Sequence, residues 1–154
     1  MEAGWRAVAC THLEAPVSHY REGAVRLQTG TGFFRQDSRP ARDLSVLLAT
    51  HQVSEANRPL RWLDLMAGCG IRGLRWGLEA LPETRPELEL WSNDADPDRS
   101  ALLALNLEPL HELRDLSLTT TSWAAERLLR QAYLDQTFFD LIDLDAFGCP
   151  NALL

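Results

Sequence analysis

Short apolar bursts alternate with longer stretches of helical periodicity along most of this 154-residue chain. LRWLDLM (60–66), ELELWSN (87–93), LSLTTT (116–121) and FFDLIDLD (138–145) are short runs rich in large or β-branched apolar residues, and they predict strands. Between them lie segments of helical spacing. IRGLRWGLEAL (71–81) and WAAERLLRQAYL (123–134) predict helices, as does DPDRSALLALNLEPL, where Asp96 is a natural N-cap and Pro97 takes the first helical position. Upstream, Leu44, Leu47, Leu48 and His51 repeat at helical spacing and predict a helix over 41–55, stopped by Asn57 and Pro59. Residues 18–35 carry short apolar stretches around glycines and predict extended chain or a hairpin. Four strands separated by helices imply an α/β fold, a parallel sheet with helices on both faces. The chain stops nine residues after Asp145, where a doubly wound sheet would normally continue, so the expectation is a sheet truncated after its fourth strand. The expected division is an N-terminal extension over 1–38 and an incomplete α/β domain over 39–154.

Composition narrows the class. The length suits one domain, and the 45% hydrophobic content suits a water-soluble core. No apolar run approaches the roughly 20 residues of a membrane helix, and the first residues show no basic-then-apolar leader. Cys10, Cys69 and Cys149 are far apart and odd in number, which favours free thiols in a reducing compartment over disulfides or zinc. The expected location is the cytoplasm. Net charge is −7, yet residues 1–75 hold ten arginines against seven acids, and there is no lysine at all. An all-arginine set suits bidentate phosphate contact, although base composition of the coding DNA gives the same count.

The stretch LDLMAGCGIRG (63–73) places Gly68, Gly70 and Gly73 between a strand and a helix. The spacing satisfies G-x-G-x-x-G, so a dinucleotide such as NAD is one candidate ligand. Asp64 at the strand end argues for another. A carboxylate there repels a pyrophosphate aimed at the same helix N-terminus and suits a ligand with a cationic amine. S-adenosylmethionine has such an amine and no phosphate, and the D-x-x-x-G-x-G spacing from Asp64 to Gly70 is that of class I methyltransferases. The second strand ends in SNDAD, where Asp94 is placed to accept ribose hydroxyls, a role that serves either ligand.

The fourth strand ends in DLIDLDAFGCP (140–150), which delivers acid, aromatic ring and turn together. Asp143 and Asp145 are two apart and leave the strand on one side. That set suits methylation of an exocyclic amine on a base, whose lone pair is delocalised into the ring. A carboxylate and a fixed carbonyl accept its two N–H bonds and stabilise the charge formed at transfer, while an aromatic ring stacks on the flipped base. Asp145 is then the acceptor, the Ala146 carbonyl its partner and Phe147 the stacking platform, with Asp143 structural.

Several segments, in order over residues 18–154, resemble the tRNA guanine-26 N2-dimethyltransferases. RDLS (42–45) is similar to that family's N-R-D segment, GCGIRGLR (68–75) to its glycine loop, SNDAD to the acid after its second strand, and IDLDAFGCP (142–150) to its I-D-L-D-P-F/Y-G-S-P strand. The resemblance implies transfer of methyl groups from S-adenosylmethionine to N2 of a tRNA guanine. By position, Arg42 and Arg72 would touch the methionine end of the donor, Asp94 the ribose and Ser122 the adenine. The sequence departs from the pattern at Ala41 (asparagine), Ala146 (proline), Cys149 (serine) and Ser122-Trp123 (an acid, then alanine). The family's remaining strands and its C-terminal tRNA-binding domain have no counterpart in these residues. Two other readings fit the same residues: a methyltransferase acting on another amine, and an inactive remnant that binds a nucleoside or a partner.

Overall fold

The computed structural model describes residues 18–32, 34–81 and 86–146. Its centre is a four-stranded parallel sheet of β3 (Leu60–Asp64), β4 (Leu88–Asn93), β5 (Leu116–Thr121) and β6 (Leu141–Asp143). The spatial order is β5-β4-β3-β6. The chain therefore runs outward from β3 to β5, then returns to lay β6 on the other side of β3. That reversal creates a crevice between β3 and β6 at the carboxyl ends of the strands, where open α/β sheets bind ligands.

Strand alternation builds a core on each face. Trp62 and Leu63 are neighbours in sequence, both fully buried, and belong to different clusters. Trp62, Leu88 and Leu90 pack with Leu74, Trp76, Leu103, Leu107 and Leu110, under α1 (Arg39–Glu55), α2 (Ile71–Arg75) and α3 (Ser100–Leu107). Leu63 and Leu65 pack on the opposite face with Ala125 and Leu128 of α4 (Ala125–Leu134). Helix α2 continues through a π-wound turn, Trp76–Ala80. Asp96 does cap, accepting from the Asp98 N–H, but the element it opens is the 3-10 turn Pro97–Arg99 ahead of α3.

Helix α1 and the last strand each add something that local pattern did not carry. The apolar face of α1 is turned outward: Leu44, Leu47 and Leu48 are exposed, and the buried face carries Arg42, Ser45, Val46, Ala49 and Val53. Polar anchors set that rotation. Trp76 Nε1 donates to Ser45 Oγ at 2.9 Å, Trp62 Nε1 to Gln52 Oε1 at 2.8 Å, and Gln52 Nε2 to the Asp140 carbonyl at 2.6 Å. The last strand is shorter than 138–145, leaving Asp145 and Ala146 in the loop beyond it.

Ahead of the sheet, β1 (His19–Glu22) and β2 (Val25–Gln28) form an antiparallel hairpin. Asn106 of α3 binds it to the glycine loop, accepting from the Gln28 N–H and donating to the carbonyls of Gln28 and Cys69, all within 2.9 Å. Among the described residues no helix is long and apolar enough to cross a membrane.

Candidate functional site

A cleft of about 610 Å³ opens at the carboxyl edge of the sheet, well within the size of small-molecule sites. Its walls come from five separate stretches. Phe34, Arg35, Ser38 and Arg42 form one side, Leu65–Cys69 the floor, Asn93–Asp96 and Arg99 another wall, Ala124–Glu126 the far side, and Asp145–Ala146 the mouth.

The glycine loop is shaped by its two left-handed positions, Gly68 (φ +57°) and Gly70 (φ +81°). At Gly68 a side chain would find open space toward the cleft, with the Arg99 guanidinium 3.8 Å away as nearest neighbour. Gly70 instead faces the core, where a Cβ would lie 2.8 Å from Leu103 Cδ1. Gly68 therefore presents backbone to a ligand, and Gly70 lets the loop settle on α3.

Asp94 holds this loop and lines the cleft. Its Oδ2 accepts the Gly68 N–H at 2.7 Å and its Oδ1 the Asp96 N–H at 3.0 Å. Each oxygen retains a lone pair for a ligand. Asn93 beside it is 1% exposed and fully bonded: its amide donates to the carbonyls of Leu65 and Trp123, and its Oδ1 accepts from Thr121 and from the Trp123 N–H. This single side chain fastens three strand ends. The sequence signal for it was a polar residue closing an apolar strand.

Asp64 does not face the cleft. It is buried at the end of β3, accepts the Gly73 N–H at 3.3 Å, and sits in register with Asp143 on β6. Burial raises its carboxyl to about 7, with the neighbouring Asp143 charge adding to the rise. Repulsion of a pyrophosphate by Asp64 is therefore not what selects the ligand. The acids that line the cleft are Asp94, Asp96, Glu126 and Asp145.

Arg72 is likewise absent from the cleft walls. Its guanidinium bridges Asp143 at 3.1 Å and Asp145 at 2.9 Å. Asp143 is further approached by Ser45 Oγ at 3.4 Å, and burial raises its carboxyl. The two aspartates that the strand spacing set on one side thus share one cation. Asp145 remains half exposed at the cleft mouth.

Arg42 reaches the cleft wall but is occupied. It forks onto Glu22 at 2.8 and 2.6 Å and donates to the Arg35 carbonyl at 3.0 Å. Glu22, 1% exposed, also receives Arg75 at 2.7 Å and the Tyr20 hydroxyl at 2.9 Å. Burial alone would raise the Glu22 carboxyl, but the bonds from Arg42, Tyr20 and Arg75 outweigh it and the net shift is downward. Neither Glu22 nor Arg75 stood out in the sequence, because each looked like an ordinary surface charge. Ser122 is exposed, hydrogen-bonds Ser100 at 2.6 Å and lies outside the cleft walls, where Ala124–Glu126 stand instead. Phe147 lies outside the described residues.

Strand order, glycine loop and a cleft at the point of strand reversal define a Rossmann-like domain of the class I methyltransferase type. A protein from Streptococcus mutans described as a SAM-dependent methyltransferase shares this fold, with a TM-score of 0.57 at 14% identity over 88% of this chain and 35% of that one. The sequence profile of the N2,N2-dimethylguanosine tRNA methyltransferases matches residues 17–154, and the chain belongs to that family. A tRNA (guanine(26)-N(2))-dimethyltransferase of Thermococcus kodakarensis is 30% identical over 143 residues, which is 85% of this chain and 35% of that protein. One from Methanocorpusculum labreanum is 35% identical over 113 residues, covering 73% of this chain and 24% of its own length. The chain thus spans about a third or less of the length of these relatives.

Proposed function

We propose that this chain is the donor-binding and catalytic portion of an enzyme that methylates the exocyclic N2 of a tRNA guanine, position 26 by relationship, in the cytoplasm. Residues 1–38 are its N-terminal extension, and 39–154 belong to the S-adenosylmethionine domain. One observation carries the reading: Asp145 and Ala146 meet the glycine loop and Asp94 around one cleft. The cleft suits S-adenosylmethionine by the chemistry of its walls. Gly68 offers open backbone, Asp94 has lone pairs for ribose hydroxyls, and the four carboxylates of the lining outnumber its three arginines. When bound, the donor supplies an electrophilic methyl group on a sulfonium.

The chain's own residues prepare the nucleophile. With Oδ2 held by Arg72, Asp145 keeps Oδ1 to accept one N–H of the guanine amine. The Ala146 carbonyl is positioned by sequence to accept the other, and the Phe147 ring is the candidate for stacking on the base. Accepting both N–H bonds concentrates electron density on nitrogen and stabilises the positive charge that develops there. Transfer would exchange the donor's S–CH3 bond for the new N–CH3 bond and leave a neutral thioether, while Asp145 or water would take the amine proton. Arg72 acts through Asp145 and is a positioning residue.

The test is transfer of labelled methyl to unmodified tRNA, followed by nucleoside analysis. Asp145→Asn preserves shape and removes the charge, and it should lower the rate by about 10²–10³. Label in N2-methylguanosine or its dimethyl form, lost in the Asn variant, supports the assignment. Label in a different nucleoside, or an Asn variant as fast as the parent, overturns it.

A further inference from the structure

The outer face of the β1–β2 hairpin lies outside the donor cleft, and its chemistry is one-sided. Glu22, Val25 and Leu27 are buried on the inner face, while His19, Arg21 and Arg26 are exposed on the outer one. The register sets Arg21 directly opposite Arg26. Like charges in that arrangement destabilise a strand pair. Among the described residues neither arginine has an acidic partner. The acids nearest in the fold are already committed: Glu22 to Arg42 and Arg75, and Glu79 to Arg75 and the Ala24 N–H. A hairpin that served only to cover α2 would gain by alternating the signs.

Position and overall charge give the pair a use. The Arg42 guanidinium holds Glu22 of β1 and the Arg35 carbonyl at once, so the hairpin is fixed beside residue 35, whose side chain lines the cleft. Residues 18–43 hold five arginines against three acids, and the rest of the chain ten against nineteen. A polyanion is repelled by most of this molecule and attracted at this rim.

We propose that the outer hairpin face, Arg21 and Arg26 continued by Arg35 at the cleft rim, docks the phosphate backbone of the RNA substrate. The inference rests on the tRNA reading above. Arginine suits the task because its planar fork grips phosphate oxygens bidentately.

The experiment measures binding of an unmodified tRNA transcript to the whole 154-residue chain across a salt series, alongside calorimetry with S-adenosylhomocysteine. Arg21→Ala/Arg26→Ala should weaken tRNA binding uniformly and reduce the salt slope by about two, one per lost phosphate contact. Its Tm should match or exceed the parent's, and sulfur-ligand binding should not change. Arg114→Ala, an exposed arginine at the opposite end of the strands, should leave tRNA binding as it was. A double variant with the parent's affinity and slope overturns the docking surface alone. Duplex DNA bound as tightly as tRNA, with the same loss in the variant, overturns the assignment to RNA. A parent that binds the sulfur ligand but no tRNA also overturns the docking surface, while the tRNA reading stands or falls on the methyl-transfer test above.

Discussion

Asp64, Asp143 and Asp145 crowd one guanidinium, that of Arg72, at the carboxyl end of the sheet. Ionising all three would leave excess negative charge in a largely dry place, so a proton is retained. Asp64 keeps it, with its carboxyl raised to about 7 chiefly by burial. The raised value has a definite sign for stability. Between about pH 4 and 7 the folded chain holds a proton that the unfolded chain has released, so this contribution is fully present below pH 4 and lost as pH rises through 7. Asp143, also raised, acts in the same sense, while Glu22 and Asp140, both lowered, contribute above the usual carboxylate range and lose that contribution on acidification. Asp64→Asn isolates the one group, since its Oδ1 can still accept the Gly73 N–H. Denaturant melts of parent and variant at pH 5 and pH 8 should show the variant gaining at pH 8 relative to pH 5, by on the order of 2–4 kcal/mol at ~1.4 per pKa unit. Equal differences at the two values would mean that Asp64 does not titrate in this range.

At the scale of elements, the hairpin is held to the α/β domain by a buried charge cluster as well as by apolar contact. Glu22 has no exposed side-chain surface, and Arg42 and Arg75 beside it have almost none. Glu22→Gln leaves the buried Arg42 without its acidic partner, while Arg75 keeps Asp43 at 2.7 Å and Glu79 at 2.8 Å. The expected loss is about 3–5 kcal/mol, measured by thermal or denaturant unfolding; a loss within the error of the measurement would show that the carbonyls of Arg35 and Gln36 satisfy Arg42 without a carboxylate. This cluster also marks where the sequence stopped being legible. The four strands and their carboxyl-end acids were readable because a parallel sheet buried on both faces leaves a continuous apolar run with an abrupt polar end, as at LRWLD and LELWSN. Helix α1 was readable in extent, and its orientation was not. Its leucines follow helical period, but Trp62 and Trp76 need acceptors for their indole N–H groups, and Ser45 and Gln52 supply them from the other face. At the site, Asp94, Gly68 and Asp145 line one cleft. Asp64 and Arg72 lie off the cleft walls, and Arg42 reaches them with its guanidinium already committed to Glu22; the pairings of the two arginines join residues far apart in sequence and leave no local pattern.

Over the whole molecule, the cleft draws on residues 34–42, 65–71, 93–99, 124–126 and 145–146, five stretches that lie far apart along the chain. A ligand seated there bridges segments that unfolding would separate, so binding should register as global stability. A ligand that binds only the native state adds about 2.7 kcal/mol at a hundred times its Kd, and for a chain of this size each kcal/mol moves Tm by roughly 2–4 °C. S-adenosylhomocysteine near that concentration should therefore raise Tm by about 5–10 °C, and NADH should not. Asp94→Ala should lose most of the shift. The comparison is between shifts and not between starting temperatures, since the variant also frees the Gly68 N–H that Asp94 holds. Shifts of equal size in parent and variant would remove Asp94 from the ligand's contacts while leaving the cleft in place. A shift with NADH and none with the sulfur ligand would assign the glycine loop to a dinucleotide, and the chemistry built on Asp145 would lose its methyl donor.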